Sequence, residues 1–179
     1  MTALKNKKVV TLCVIATAIV FAAGMSASAT SVGQILQNVQ IKDAADKPAS
    51  IPDLGNKVLC VLYNDADAAD MNDPLADALK AKDYPKEKFR AMGIVNMKDS
   101  KAPNFLIRKI IKGKIEKYNT TILTDTDLIL PTAWGFGDCN NQSVCVIIGK
   151  DKAVKYYKNG GVRGAEIDQV VKIVDGLMK

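Results

Sequence analysis

Blocks of apolar positions alternate with polar stretches along this chain, and their spacing predicts strands and helices in turn. Continuous apolar runs such as 57–63 (KVLCVLY) are typical of strands buried on both faces, whereas apolar positions three and four residues apart are typical of helices. The predicted strands cover residues 34–42, 57–63, 91–97, 121–124, 143–148 and 153–157. The predicted helices cover residues 74–82, 103–118 and a segment from about Ala165 to the C-terminus. The order β-β-α-β-α-β-β-β-α favours an α/β protein with a mixed sheet and helices on both faces.

The first 29 residues have the pattern of a secretory signal peptide. Lys5, Lys7 and Lys8 precede an apolar run at 9–23, and the small residues Ala27-Ser28-Ala29 match an A-x-A cleavage site. The run is about 15 residues long, shorter than the roughly 20 that a membrane-spanning helix needs, so an uncleaved anchor is the less favoured alternative. We therefore expect cleavage after Ala29, a location in the periplasm with no membrane span, and a single domain over residues 30–179.

Composition excludes several classes of enzyme. The 179 residues contain four cysteines and no histidine, so a Ser-His-Asp triad, a Cys-His pair and a His-ligated zinc site cannot be built. Half of the formal net charge of +6 comes from the lysines of the predicted signal peptide. The charge is therefore weak support for nucleic-acid binding, and we predict no nucleic-acid partner, no cofactor and no metal site.

Four motifs lie at characteristic places among these elements. They are N-D-P-L-A-D-A-L-K-A at 72–81, G-I-V-N at 93–96, A-W-G-F at 133–136, and the C-terminal hairpin and helix. Together they resemble the YtfJ family of exported thioredoxin-like proteins, over essentially all of the mature chain. The resemblance implies a thioredoxin-like mixed sheet with an N-terminal β extension of the redoxin type, and it implies no defined biochemical activity.

The same resemblance places the positions at which redoxins carry their thiols. With Pro74-Leu75 set on the family's first helix, Ala66-Asp67-Ala68-Ala69 stands where C-x-x-C would be. Trp134-Gly135-Phe136 resembles the stretch before the family's penultimate hairpin, and Ser143 stands where the family has a cis-proline just ahead of that strand. No cysteine lies between Cys60 and Cys139, so neither thiol–disulfide exchange nor peroxidatic chemistry can take place there.

A chain that lacks these thiols is expected to be a redox-inactive binding or accessory module. Its partner would be an unknown periplasmic protein or a small ligand, and the candidate binding groove lies near Asp65, Asp67 and Trp134. Trp134 is alternatively a core aromatic residue.

The remaining cysteines carry the alternative hypothesis, a thiol redox protein or sensor. Cys60 lies within a buried strand and is interpreted as a core residue. Cys139 lies in a polar loop, and its C-x5-C spacing from Cys145 makes these two a candidate disulfide in an oxidising compartment. A Cys60–Cys145 pair is the other candidate, because the two strands are neighbours in the implied fold.

Two charged clusters have both a structural and a functional interpretation. Acidic residues crowd 65–77, where they suit a helix N-terminus; a cation site is the alternative, although the spacing does not match an EF-hand. Basic residues mark the second helix, either as its solvated side or as a surface for anionic lipid, cell-wall polymer or an acidic partner. The basic residues are Lys101, Arg108, Lys109, Lys112, Lys114 and Lys117.

Overall fold

The computed structural model describes residues 29–179, so the predicted signal peptide lies outside the described residues except for Ala29. The strands are β1 Gln40–Asp43, β2 Pro48–Ser50, β3 Val58–Asp65, β4 Phe89–Asn96, β5 Thr121–Asp125, β6 Ser143–Ile148 and β7 Val154–Asn159. The helices are α1 Asp73–Ala81, α2 Asn104–Tyr118, α3 Ile129–Trp134 and α4 Ala165–Leu177, and a short 3₁₀ turn at Ala66–Ala68 precedes α1.

The described strands form one mixed sheet in the order β2-β1-β5-β4-β3-β6-β7. The three central strands β3, β4 and β5 are parallel, while β6 and β7 continue the sheet antiparallel on one side and the β1–β2 hairpin does so on the other. The continuous apolar runs predicted from the sequence form β3, β4 and β6. These strands are covered on both faces of the sheet, so successive side chains are buried and apolar residues follow one another without alternation.

The core is divided between the two faces of the sheet. On one face, α3 and the residues after it cover a cluster that includes Val61, Tyr63, Trp134 and Phe136. On the other face, α1 and α4 cover Cys60, Cys145 and Ile147, and α2 packs beside them over Ile122. The predicted α/β sheet with helices on both faces is therefore confirmed.

Two short elements were missing from the sequence prediction. The three-residue β2 begins at Pro48 on the outer edge of the sheet, where a residue without an N–H is tolerated. It directly follows turn residues, so the sequence shows no alternation typical of a strand. The six residues of α3 are too few to show a helical period. The predicted first strand at 34–42 was too long, because β1 begins only at Gln40; Ile35 instead makes an isolated bridge with Ala153.

No helix within residues 29–179 combines the length and the apolar character that a membrane crossing requires.

Candidate functional site

Each of the three parallel strands ends in a buried Asp or Asn. Asp65, Asn96 and Asp125 end β3, β4 and β5, and the backbone pairing places them side by side across the sheet. All three are at most 1% exposed. Ligands of open α/β sheets bind at this edge, where the carboxyl ends of parallel strands meet.

The buried carboxylates at this edge hold the loops that follow them. Asp65 accepts hydrogen bonds from the backbone N–H of Asp67 and of Asn141, both at 2.9 Å. Asp125 accepts from the backbone N–H of Ile129 at 3.0 Å and of Leu130 at 2.9 Å, and so caps α3. Because their oxygens already serve backbone donors, these two residues act as structural acceptors.

The 3₁₀ turn after β3 carries the alanines that stand at the expected cysteine positions. Ala66 and Ala69 are half-buried and, with the partly exposed Ile110 of α2, line a small cavity of about 30 Å³. This surface therefore presents methyl groups and an apolar helix residue, with no group able to exchange a disulfide.

Ser143, at the expected cis-proline position, belongs to a buried polar network. Its hydroxyl donates to the side-chain oxygen of Asn64 and accepts a 2.6 Å hydrogen bond from the Nδ2 of Asn72. The Oδ1 of Asn72 in turn accepts from the backbone N–H of Val162 at 2.7 Å. The network ties β3, β6, the start of α1 and the loop before α4 together. Sequence reasoning missed both asparagines, because only the fold brings positions 64, 72 and 143 into contact.

The cysteines do not form the predicted Cys139–Cys145 disulfide. Cys60, Cys139 and Cys145 all carry free thiols, and Cys139 packs in the core cluster on one face of the sheet while Cys145 packs on the other. The sheet between them blocks a bond, so this pairing is wrong. Cys60 and Cys145, the other candidate pair, also carry free thiols. They lie on the same face of adjacent strands, where the neighbouring Cys60 thiol and burial raise the pKa of Cys145.

The surroundings of the Cys139 thiol make it a poor nucleophile. It is 3% exposed and donates weakly to the carbonyl oxygen of Gly137 at 3.6 Å. Burial first, and then the negative charges of nearby aspartates, raise the pKa of Cys139 from the ordinary 9.0 to about 12. A buried thiol that stays protonated at neutral pH is a poor nucleophile.

The candidate groove of Asp65, Asp67 and Trp134 is not formed. Asp65 is buried and its oxygens are used, while Asp67 is exposed on the 3₁₀ turn. Trp134 is 1% exposed at the end of α3, where its indole N–H donates to the carbonyl oxygen of Gln37 at 2.8 Å. The alternative interpretation of Trp134 as a core aromatic is therefore confirmed.

The acidic and basic clusters meet in ion pairs between α1 and α2. The ammonium of Lys114 contacts Asp70 at 2.8 Å and also Asp73, and Lys117 contacts Asp77 at 3.3 Å. Burial alone would lower the pKa of Lys114, but the hydrogen bonds and charges of these aspartates raise it. Most of the predicted acidic cluster is thus neutralised by lysines of the predicted basic helix. Within the described chain, no three acidic or cysteine side chains converge on a point where a metal ion could sit.

Beneath these ion pairs, a cavity of about 490 Å³ lies between α1, α2 and the sheet. Its floor includes Leu62, Gly93 and Ile122, and its upper end reaches Asn64, Ala69 and Asn72. The cavity therefore begins at Ala69, one of the two alanines at the expected cysteine positions, and runs down the sheet toward the amino ends of β3 and β4. Sequence reasoning missed it, since no local pattern reports the gap between two helices.

Comparison with solved structures supports the fold. A protein assigned as the thiol:disulfide interchange protein DsbE, from Chlorobium tepidum, superposes with a TM-score of 0.62 at 11% identity, covering 84% of this chain and 100% of that one. The exposed lipoprotein thioredoxin of Streptococcus pneumoniae strain TIGR4 superposes with a TM-score of 0.54 at 15% identity, covering 76% and 98% of the two chains. At these identities the likeness shows a thioredoxin-like fold.

Comparison of sequences identifies the family. An uncharacterized protein of Haemophilus influenzae (strain ATCC 51907 / DSM 11121 / KW20 / Rd) is 27% identical over 142 residues, covering 77% of this chain and 76% of the relative. The profile of the family described as "Bacterial protein of unknown function (YtfJ_HI0045)" matches residues 47–177. With the thioredoxin-like sheet and the four motifs on which the resemblance rested, this match shows that the chain belongs to the YtfJ_HI0045 family.

Proposed function

We propose that this protein is a non-catalytic binding module of the thioredoxin fold that works outside the cytoplasm. The observation that carries the proposal is the state of its thiols. Alanines occupy positions 66 and 69, and Cys60, Cys139 and Cys145 are each at most 3% exposed. Thiol exchange requires an exposed thiolate of low pKa, and none of the described residues supplies one.

The magnitude of the pKa shift supports the same conclusion. With a pKa of about 12, roughly one Cys139 thiol in 10⁵ is ionised at neutral pH. Cys145 is fully buried and its pKa is also raised. A thioredoxin-type nucleophile has the opposite shift, because positive charge or a helix N-terminus stabilises its thiolate.

Export is supported by the N-terminal pattern of charged, apolar and small residues. One structural neighbour is named an exposed lipoprotein, which agrees with a role outside the cytoplasm for this fold. In the periplasm, the module would bind a protein or a small ligand and present it without changing its redox state.

Insulin reduction in the presence of dithiothreitol tests the proposal, with a C-x-x-C thioredoxin alongside as the positive control. We expect no turnover above background by this protein. In native buffer, Cys60, Cys139 and Cys145 should resist Ellman's reagent, and all three should react in guanidinium chloride. Insulin reduction that is abolished by Cys139→Ser would overturn the proposal in favour of a thiol enzyme.

A further inference from the structure

We propose that the cavity between α1 and α2 binds an elongated organic anion, a molecule with one acidic group on an apolar body. The inference rests on the proposed function, because it names the ligand class of a binding module. The cavity volume of about 490 Å³ lies within the range of roughly 300–1,000 Å³ that is usual for small-molecule pockets.

The floor of the cavity is open because one residue on it has no side chain. Gly93 lies in the middle of β4, between Leu62 on β3 and Ile122 on β5. A Cβ at Gly93 would meet only the Ile122 side chain, with its nearest atom at 3.5 Å, and the Gly93 φ lies outside the positive range that disfavours other residues. Neither backbone conformation nor crowding requires glycine here, so its effect is to leave open space above the sheet.

The walls provide an aromatic surface at the lower half of the cavity. Tyr118 closes the α2 side, and Tyr84 and Phe89 lie at the lower end with their ring centroids 4.9 Å apart. On the α1 side, Ala69 and Ala76 are small residues that keep the passage open. A flat or extended apolar body fits between these rings and the floor.

The lower end of the cavity has an excess of positive charge. Lys80 and Lys86 line this end, and the ammonium of Lys80 donates to the carbonyl oxygen of Lys117 at 2.6 Å. They face only Asp83 among the lining acids there.

The upper end is closed by paired charges. Lys114 donates to the carbonyl oxygen of Ala69 at 3.0 Å while it holds Asp70 and Asp73. Two carboxylates face this one ammonium, so the upper end offers no free positive charge; the acidic group of a ligand is expected at the lower end and its apolar body over Gly93. The complementary charge at that end is negative, which selects an anion over a neutral or cationic molecule.

Two fluorescent probes of nearly the same shape test the inference. 1-Anilinonaphthalene-8-sulfonate carries a negative charge, and N-phenyl-1-naphthylamine is its neutral counterpart. We expect the native protein to bind the sulfonate at least about ten-fold more tightly than the neutral amine. Equal affinities would overturn the charge assignment.

Substitutions locate the bound probe. Gly93→Val fills the floor and is expected to weaken binding of both probes at least about ten-fold, whereas Gly176→Val, on the exposed side of α4, should leave both affinities unchanged. Lys86→Glu should weaken only the sulfonate, by about three-fold or more, and Lys172→Glu on α4 serves as its charge-matched control. Circular dichroism checks that each variant is folded, and if Gly93→Val is not, the lysine pair carries the test.

Displacement of the sulfonate identifies the apolar body. Release by dodecanoate, below the concentration at which it forms micelles, supports an aliphatic chain, and release by 2-naphthoate supports an aromatic one. Release by neither, or unchanged binding in Gly93→Val, would overturn the inference. Because insulin reduction is measured separately, a redox-inactive protein that binds no anion would contradict the ligand class alone.

Discussion

Replacing Asp125 by alanine gives a sharp test of how the carboxyl edge of the sheet is held. The side chain is 1% exposed and accepts hydrogen bonds from the backbone N–H of Asp127 at 3.2 Å, of Ile129 at 3.0 Å and of Leu130 at 2.9 Å. The hydroxyl of Tyr63 donates to the same carboxylate at 3.4 Å.

The expected loss follows from the donors that alanine would leave without an acceptor. A hydrogen bond to a charged group contributes about 1.5–3 kcal/mol, and removal of a helix cap costs about 1 kcal/mol. These contributions are not additive, and water can reach part of the loop at Asp127. We therefore expect Asp125→Ala to lower the free energy of unfolding by about 3 kcal/mol, a large fraction of the roughly 5–15 kcal/mol of a typical domain.

Urea unfolding followed by tryptophan fluorescence is the appropriate assay. Trp134 is the only tryptophan, it is 1% exposed, and it lies at the end of the helix that Asp125 caps. With a urea dependence of about 2 kcal/mol/M, the midpoint should fall by roughly 1.5 M. Circular dichroism should report the same midpoint if unfolding is two-state.

Asp127→Ala is the matched control, because this carboxylate is exposed and, among the described residues, its side chain accepts a hydrogen bond only from its neighbour Thr126, at 2.8 Å. The control should change the free energy of unfolding by less than about 0.5 kcal/mol. If Asp125→Ala costs no more than Asp127→Ala, the buried carboxylate does not organise the loop and the reasoning fails.

Three further predictions concern other buried polar groups. Asn72→Ala removes the donor to the Ser143 hydroxyl and the acceptor of the Val162 N–H, and should lower the free energy of unfolding by about 2 kcal/mol in a urea titration. An effect below about 0.5 kcal/mol would contradict a stabilising network. Tyr118→Phe removes a buried hydroxyl that has no hydrogen-bond partner among the described residues, so thermal unfolding should occur at the same or a higher temperature, and clear destabilisation would be contrary to this view. Cys139 has a folded-state pKa raised from 9.0 to about 12, so the stability it contributes is complete below about pH 9 and is lost as the pH rises toward 12. Between about pH 8 and about pH 10.5 the wild type should lose roughly 2 kcal/mol more than Cys139→Ala, and equal losses would show that the thiol titrates normally.

Local sequence patterns were sufficient for most of the secondary structure. The predicted hairpin strand at 143–148 is β6 residue for residue, and the predicted helix at 103–118 begins one residue before α2. Both elements are long enough for their apolar period to be read, and α2 also ends at Asn119 in the left-handed conformation that asparagine tolerates. The elements missed, β2 and α3, are too short to show a period, so their positions depend on tertiary contacts.

The candidate site was only partly predictable. The resemblance predicted Ala66 and Ala69 at the cysteine positions and Ser143 at the cis-proline position, and the absence of cysteine between positions 60 and 139 could be read directly. The pairing of Cys139 with Cys145 was wrong, because sequence separation gives no information about which face of a sheet a loop residue joins. Trp134 was expected near a groove and instead fills the core.

The sequence by itself determined the alternation of strands and helices, the signal-peptide-like pattern of the first 29 residues and the absence of cysteine between positions 60 and 139, because each of these can be read along the chain without knowing its fold. Only the tertiary structure decided that Asp65, Asn96 and Asp125 lie in one row, since this depends on the register of three parallel strands. It also decided that the charged clusters meet each other above Gly93 and leave a cavity there. That arrangement follows from the packing of α1 and α2 on one face of the sheet, which brings together residues far apart in the chain.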